Sequence, residues 1–294
     1  SAIKIQSILA KELMVKNPHT SDYVKMLEGL ERSFEEHLFL KDLCNKNGID
    51  FLSTPEGPTM ADLLEKLDTP AYKVSSLNLV YYELLEKLSD TGKPVIISTG
   101  MGEDEEIEKT IELLKNRRSD IVLLHCSSTY PTAPKNSNLR NISYLRNKYK
   151  NVIGYSDHTV GALAPALAVS LGASVIEKHF TLDRNQEGAD HTVGVDPRML
   201  EDMMKKIRET EKMLGSYDRI LCEKEKEIRK SKRRKLVLSH GVLKGNTITK
   251  ENLICLQTKS KDGIDCKYIE EIDGRKFARR AMEKNTVLEW GLLD

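Results

Sequence analysis

Seven short runs of apolar and β-branched residues divide the first two thirds of the chain. Each has the length and composition of a strand buried inside a parallel sheet, and segments of helical character separate most of them. This alternation predicts an α/β fold in which crossover helices join the consecutive strands of a parallel sheet. The predicted strands are Ile3–Gln6, Asp50–Thr54, Tyr72–Ser76, Val95–Thr99, Ile121–Cys126, Val152–Ser156 and Ala173–Phe180.

The number of strands limits the architecture. A closed barrel of the TIM type needs eight βα units, and the chain begins almost directly on the first of the seven predicted strands. The pattern therefore predicts either a (β/α)8 barrel that lacks its first βα unit, or an open sheet. The predicted helices are Tyr23–Asn47, Pro58–Leu67, Tyr81–Thr91, Asp104–Asn116, Leu139–Lys148, Gly161–Leu171 and Met199–Leu214.

The character of the sequence changes after residue 215. The stretch Glu223–Arg234 is densely charged, and a role in nucleic-acid binding or localisation is one interpretation. Alternating charges are more typical of a solvated helix or linker, which we favour. We therefore predict a large domain over residues 1–215, a charged linker over 216–234, and a small β-rich domain over 235–294, where short runs are broken by glycines.

The charge balance argues against an electrostatic partner. The 294 residues include 46 basic and 45 acidic side chains, a net charge of +1, so no overall field attracts nucleic acid or an anionic membrane. No apolar stretch approaches the ~20 residues needed to span a bilayer. Five cysteines without paired spacing indicate reduced thiols, and we expect a cytoplasmic protein.

Two histidines, His158 and His179, each lie at the C-terminal end of a predicted strand. Because the C-terminal ends of parallel strands share one rim, both imidazoles should reach that rim. Neutral imidazole binds Mn, Fe, Co or Zn, and two protein ligands leave positions for water and substrate. The pair therefore indicates a divalent metal site; the alternative is that each histidine is a hydrogen-bonded core residue.

Lys4 and Lys73 lie inside predicted strands, between apolar neighbours. A lysine is costly to bury without an anionic partner, so the pair indicates a phosphate or carboxylate ligand. Hydroxyl side chains at strand ends would add donors, or would simply cap the helices that follow. These hydroxyl residues are Thr54, Ser75, Ser76, Ser98, Thr99 and Ser156.

Asp190 lies in a loop after the last predicted strand. Its carboxylate would orient a hydroxyl or act in acid–base chemistry, or it is a turn residue. Cys126 stands at another strand end beside His125, where a thiol that fills core space is more typical than a nucleophile.

Eight motifs follow one another along the chain: Ile3-Lys-Ile-Gln6, Phe51-Leu-Ser-Thr-Pro55, Tyr72-Lys-Val-Ser-Ser76, Gly92-Lys-Pro-Val-Ile-Ile-Ser-Thr-Gly-Met101, His125-Cys-Ser-Ser-Thr-Tyr-Pro131, Gly154-Tyr-Ser-Asp-His-Thr159, Glu177-Lys-His-Phe-Thr181 and Gly188-Ala-Asp-His191. In this order they resemble the sialic acid (nonulosonic acid) synthase family. Members of that family condense phosphoenolpyruvate with an N-acylated hexose. Residues 235–294 resemble the antifreeze-like (SAF) domain that ends these enzymes.

The resemblance implies a (β/α)8 barrel plus the SAF domain, in a homodimer where the small domain of one subunit caps the barrel of the other. The substrates would be phosphoenolpyruvate and an amino sugar, either N-acetylmannosamine or a 2,4-diacetamido hexose. The products would be a nine-carbon 2-keto sugar acid and phosphate. His158 and His179 would hold the metal cofactor, most often Mn²⁺, with Mg²⁺ or Co²⁺ as alternatives. Neither nucleic acid nor a membrane is an implied partner.

The resemblance also assigns site residues by position, with Lys4, Lys73 and Asp190 as the catalytic set. Asn78 and Ser128 stand at further substrate-binding positions. The phosphoenolpyruvate would contact Lys4, Thr54, Lys73, Ser76, Ser98 and Ser156. The sugar would face Gln6, Tyr130 and Asp190.

The chain departs from the family pattern at several points. The family's opening strand and its acidic residue are absent, so we expect this chain to be weakly active or inactive alone. Asn78 stands where an acid is common, and an amide cannot serve as a base. Ser128 is more like the legionaminic, pseudaminic and spore-coat relatives than like sialic acid synthases. Gln257 stands near the position where the family has a capping arginine. Lys259 or Lys261 could take the place of that arginine, but a lysine lacks its forked geometry.

Two alternatives to this synthase remain open. One is another phosphoenolpyruvate-dependent aldol-type synthase, acting for example on a phosphorylated aldose. The other is a non-catalytic relative that binds sugar or metal with a decayed site. The retained histidine and lysine pairs favour an enzyme.

Overall fold

The computed structural model describes residues 1–116, 120–188 and 190–294, without the side chain of Asn116. Ala189, within the Gly188–His191 motif, lies outside the described residues. The chain divides into two compact units, Ser1–Gly215 and Ser216–Asp294.

Seven parallel strands form the sheets of the first unit. Strands β1 and β2 pair with each other, and β3 to β7 form a five-stranded sheet in chain order. All seven predicted strands are confirmed, although two are shorter than predicted. β3 ends at Val74, before the helical turn Ser76–Asn78, and β7 covers only Val175–Lys178, with Phe180 forming an isolated parallel bridge to Val195. The strands are β1 Ala2–Ser7, β2 Asp50–Pro55, β3 Tyr72–Val74, β4 Val95–Ser98, β5 Ile121–Cys126, β6 Val152–Asp157 and β7 Val175–Lys178.

Helices connect these strands. The predicted helix Tyr23–Asn47 is wrong as one element, because Ser33 starts a new helix: its side chain accepts a hydrogen bond from the backbone of Glu36, and the Glu36 carboxylate accepts one from the backbone of Ser33. The helices are α1 Ala10–Leu13, α2 Ser21–Leu30, α3 Phe34–Lys46, α4 Pro58–Lys66, α5 Tyr82–Ser89, α6 Asp104–Asn116, α7 Arg140–Tyr149, α8 Leu163–Ser170 and α9 Pro197–Leu214.

The main core of the first unit lies between the five-stranded sheet and its helices. Leu64, Leu84 and Leu88 from α4 and α5 pack into one cluster with Val95 and Leu123 of the sheet, and all five side chains are almost fully buried. Burying such side chains stabilises the fold by about 1.5–3 kcal/mol each. The polar strand ends are thereby left to line a cavity.

The second unit has its own core, which includes Leu236, Ile248 and Leu288. Residues 216–234, predicted as a charged linker, belong to this unit, and within them Glu223–Lys232 forms helix α10, whose residues are all exposed. In the described part of the chain, no helix is both long and apolar enough to cross a membrane. The remaining elements are β8 Lys235–Leu238, β9 Thr247–Ile248, β10 Leu253–Leu256, α11 Ile269–Ile272 and β11 Lys276–Phe277.

Candidate active site

The C-terminal ends of the strands in the first unit surround one cavity of about 470 Å³. Of the thirteen site residues that the resemblance assigns, twelve line this cavity; the exception is Asn78. The twelve are Lys4, Gln6, Thr54, Lys73, Ser76, Ser98, Ser128, Tyr130, Ser156, His158, His179 and Asp190.

Strand register explains why residues from distant segments meet there. Gln6 of β1 is paired with Thr54 of β2, and Ser156 of β6 is paired with Glu177 of β7. Paired residues on neighbouring strands point to the same face, and residues two apart along one strand do too, so Lys4 accompanies Gln6.

A buried hydrogen-bond network fixes the ends of β1 and β2. The Ser7 hydroxyl lies 2.6 Å from the Ser53 hydroxyl and 2.7 Å from His37 Nε2. Nδ1 of His37 lies 2.8 Å from the Ser33 carbonyl oxygen, which can only accept, so Nδ1 carries the proton. This network ties helix α3 to both strands and holds Gln6 and Thr54 in place.

Two ammonium groups share one carboxylate on the cavity wall. Nζ of Lys4 lies 3.4 Å from Oε1 of Glu177, and Nζ of Lys73 lies 3.6 Å from Oε2 of the same side chain. The Lys73 ammonium also donates to the Ser98 hydroxyl at 2.8 Å. The two lysines therefore converge, and they leave one positive charge uncompensated by Glu177.

The pKa values of these groups reflect both burial and charge. Burial raises the pKa of Glu177, but the ammonium groups of Lys73 and Lys4 outweigh it and bring that pKa to about 2. Burial lowers the pKa of Lys73, and Glu177 opposes the shift. A bound anion would act in the same direction as Glu177 and favour the charged lysine.

One hydroxyl beside these charges has no partner. Oγ1 of Thr54 is buried, lines the cavity, and makes no hydrogen bond to any described residue. An unpaired buried hydroxyl is costly, so the site is suited to a ligand that accepts or donates there. The Thr54 hydroxyl and the Lys4 and Lys73 ammonium groups, with the hydroxyls of Ser76, Ser98, Ser128 and Ser156 on the same cavity, are called the anion-binding region below.

The protonation of His158 is set by its neighbour. Nδ1 of His158 lies 2.7 Å from the Ser127 carbonyl oxygen, so Nδ1 must be the donor. Nε2 then keeps its lone pair free, and burial lowers the pKa of His158, which favours the neutral ring. Fixing the tautomer through the other ring nitrogen is the usual arrangement of a metal-binding histidine.

His179 lies next to His158. Their ring centroids are 5.4 Å apart, and Nδ1 of His179 lies 3.7 Å from Oδ2 of Asp190. The ring of Tyr130 covers His158 with a centroid separation of 4.0 Å. Burial also lowers the pKa of His179. Among the described residues, no group of three or more His, Cys, Asp or Glu side chains is arranged to hold a metal ion. His158 and His179 are the two imidazoles of the cavity that could hold one.

A buried ion pair supports both histidines from behind. Nζ of Lys178 lies 2.7 Å from Oδ2 of Asp157, and the two side chains are 3% and 0% exposed. Oδ1 of Asp157 accepts hydrogen bonds from the Tyr155 hydroxyl and the Thr159 backbone. Since each member of the pair precedes one histidine, the pair fixes the backbone from which both imidazoles project.

Asn78 lies behind a residue that was not predicted, Glu56. Nδ2 of Asn78 donates to Oε2 of Glu56 at 2.7 Å, and it is Glu56 that lines the cavity. Cys126 also lines the cavity, and burial raises the pKa of its thiol, which disfavours the nucleophilic thiolate.

Four residues that line the cavity were not predicted from the sequence: Glu56, Asp157, Glu177 and Lys178. A signal existed for three of them, because Asp157-His158 and Glu177-Lys178-His179 place charges directly beside the predicted ligands at strand ends. Glu56 follows the predicted strand after a proline, and that position alone does not distinguish it from an exposed turn residue.

Replacing Gly100 by alanine should disturb the anion-binding region without unfolding the protein. An added Cβ at residue 100 would lie 2.4 Å from Oγ of Ser128 and 2.7 Å from Oγ of Ser76, so both hydroxyls must move. We expect turnover to fall about tenfold, as misplaced contacts reduce orientation of the substrate. The control is Gly29→Ala, where the methyl group meets no atom within 4 Å. Equal activity of both variants would contradict the prediction.

The fold and the cavity define the class: an α/β protein whose strand ends join an anion-binding region to a pair of imidazoles. The sequence profile of the NeuB family matches residues 1–219. The N,N'-diacetyllegionaminic acid synthase of Legionella pneumophila is 35% identical over 305 residues, covering 98% of this chain and 85% of that protein.

Solved structures agree. The N-acetylneuraminic acid (sialic acid) synthetase of Leptospira borgpetersenii, solved with citrate, is 34% identical with a TM-score of 0.73, covering 77% of this chain and 78% of that one. The spore coat polysaccharide biosynthesis protein SpsE of Bacillus subtilis is 30% identical with a TM-score of 0.65, covering 99% and 86%. The chain therefore belongs to the NeuB family, and it is an enzyme of the sugar-acid synthase kind.

Proposed function

We propose that the enzyme condenses phosphoenolpyruvate with an N-acylated hexose to give a nine-carbon 2-keto sugar acid and phosphate. The observation that carries the proposal is the convergence of Lys4 and Lys73 with His158 and His179 on one cavity. The phosphate and carboxylate of phosphoenolpyruvate need the cations of the first pair, and activation of a sugar aldehyde suits the second pair. The names of the relatives support the same reaction class.

The phosphoenolpyruvate would occupy the anion-binding region. Its phosphate and carboxylate would contact the ammonium groups of Lys4 and Lys73, which carry one more positive charge than Glu177 neutralises. Hydroxyl donors would complete the shell: Thr54, Ser76, Ser98, Ser128 and Ser156. Fixed charges of this kind position the reactant and need little reorganisation during the reaction.

His158 and His179 would hold a divalent metal, most often Mn²⁺, with Mg²⁺ or Co²⁺ as alternatives. The free Nε2 of His158 and the proximity of the two rings fit this assignment. When bound, the ion supplies a Lewis acid for the aldehyde oxygen of the open-chain sugar. Gln6, Tyr130 and Asp190 would orient the sugar.

The bonds change as follows. Carbon 3 of phosphoenolpyruvate attacks the sugar aldehyde carbon, and the aldehyde oxygen becomes a hydroxyl. Water adds at carbon 2, and the tetrahedral product expels phosphate by cleavage of its C–O bond to give the 2-keto acid. The lysines keep the leaving phosphate in place and stabilise its charge.

We also propose the finer architecture that the motif resemblance implies. Residues 1–215 would be a domain of the (β/α)8 barrel type, and residues 235–294 a domain of the SAF type. The enzyme would act as a homodimer, which the molar mass from light scattering tests. A monomer that is fully active at all concentrations would contradict the dimer.

The reaction is tested by phosphate release from phosphoenolpyruvate. We expect release only with an N-acylated hexose and Mn²⁺, from a panel of N-acetylmannosamine, 2,4-diacetamido hexoses and sugar phosphates. With ¹⁸O at the bridging C–O–P oxygen of phosphoenolpyruvate, cleavage of the C–O bond should deliver the label to the released phosphate and leave the oxygen on carbon 2 of the product unlabelled. His158→Ala should lose metal-dependent activity while keeping its circular dichroism spectrum. Full activity of that variant with Mn²⁺ would contradict the metal assignment.

A further inference from the structure

Glu56 is a buried carboxyl group on the wall of the cavity. It follows β2 directly and is 4% exposed. Three neutral donors hold it: Gln6 Nε2 lies 3.2 Å from Oε1, Asn78 Nδ2 lies 2.7 Å from Oε2, and the Ser75 hydroxyl lies 3.4 Å from Oε2. All three donate to the carboxylate, and they stabilise its ionised form.

No cation pairs with Glu56 among the described residues, in contrast to two other acids that line the cavity. Asp157 pairs with Lys178, and Glu177 pairs with Lys4 and Lys73. Burial raises the pKa of Glu56, and the three hydrogen bonds and the more distant charge of Lys4 oppose the rise. A carboxylate that is buried without an ion pair is costly to the fold, so its place beside an open cavity calls for a ligand.

The Glu56 carboxylate can accept one more hydrogen bond than its three protein donors supply, which leaves a position for such a ligand. Two oxygens offer about four acceptor positions, and Gln6, Asn78 and Ser75 use three of them. The remaining position suits a hydroxyl or an amide N–H. It does not suit phosphoenolpyruvate, because that reactant is anionic.

We infer that Glu56 determines acceptor specificity: it accepts a hydrogen bond from the sugar and disfavours acceptors that carry a negative charge. The inference rests on the proposed function and names a residue of that same site. Asn78 is then a positioning residue, which acts on the sugar through Glu56. In the proposed reaction phosphoenolpyruvate occupies the Lys4–Lys73 pair. The part of the cavity left for the sugar then contains two acids, Glu56 and Asp190.

Two substitutions separate the effect of the Glu56 charge from the effect of the hydrogen bond that Glu56 accepts from the sugar. Glu56→Ala removes the acceptor oxygen, and we expect the KM for N-acetylmannosamine to rise by about tenfold or more, with the KM for phosphoenolpyruvate within about twofold. Glu56→Gln keeps the shape without the charge. The wild-type enzyme should prefer N-acetylmannosamine over its 6-phosphate in kcat/KM, and Glu56→Gln should reduce that preference by about tenfold.

The matched control is Glu35→Gln on the exposed face of α3, which should leave both KM values and the preference unchanged. Unchanged acceptor KM and unchanged preference in the Glu56 variants would overturn the inference while the proposed function stands. Equal turnover of the two sugars by the wild-type enzyme would do the same, even if a variant fails to fold. Absence of turnover with every acceptor, both by this chain and by a version that also carries the family's opening strand, would overturn the proposed function and the inference with it.

Discussion

Replacing Lys73 by methionine should lower phosphate release from phosphoenolpyruvate by about 10³-fold, the upper range for loss of one preorganised charge contact. The Lys73 ammonium is almost completely buried, and its position is set by Ser98 and Glu177. Methionine keeps most of the volume but removes the charge, together with the hydrogen bonds that the ammonium donates to the Ser98 hydroxyl and the Val74 carbonyl. The measurement is steady-state kinetics with saturating sugar and Mn²⁺.

The matched control for this variant is Lys87→Met. Lys87 lies on α5 outside the cavity, with its Nζ 2.7 Å from Oδ1 of Asp62. An exposed ion pair contributes little to stability, so we expect its turnover to remain within about twofold of wild type. A Lys73→Met enzyme that keeps more than a tenth of wild-type turnover, with its thermal unfolding unchanged, would contradict the role of Lys73.

Much of the fold could be predicted because its signals are local. A strand buried on both faces needs a continuous apolar run, and each of the seven runs carries that signal within about six residues. The same pattern predicted that His158 and His179 share one edge of the sheet, because both lie at the C-terminal ends of strands. The break between α2 and α3 was missed because the cap at Ser33 is a single residue inside a helical pattern.

The unpredicted site residues depend on strand register, which is not local. Asp157 is paired across the sheet with Lys178, and Ser156 with Glu177. A charged residue at a strand end becomes a buried partner or an exposed side chain according to what the next strand places opposite it. Glu56 is the extreme case, because its three partners come from β1 and from the turn that follows β3.

The ion pair between Asp157 and Lys178 should be among the most sensitive points for stability. Lys178→Met leaves a carboxylate of 0% exposure without its cation, and we expect the free energy of unfolding to fall by about 3–5 kcal/mol. The Tyr155 hydroxyl and the Thr159 backbone still donate to Asp157, but neither carries a charge. Urea unfolding followed by circular dichroism measures the loss without any substrate.

The double variant Asp157→Asn/Lys178→Met separates charge from packing. It removes both charges and keeps an oxygen for Tyr155 and Thr159, so most of the lost stability should return. Asp157→Asn alone should be destabilising as well, because it leaves the Lys178 ammonium buried without a counter-charge. A single Lys178→Met substitution that costs less than about 1 kcal/mol would mean that the pair is neutralised or solvated in the folded enzyme, and that other contacts hold the two histidines in place.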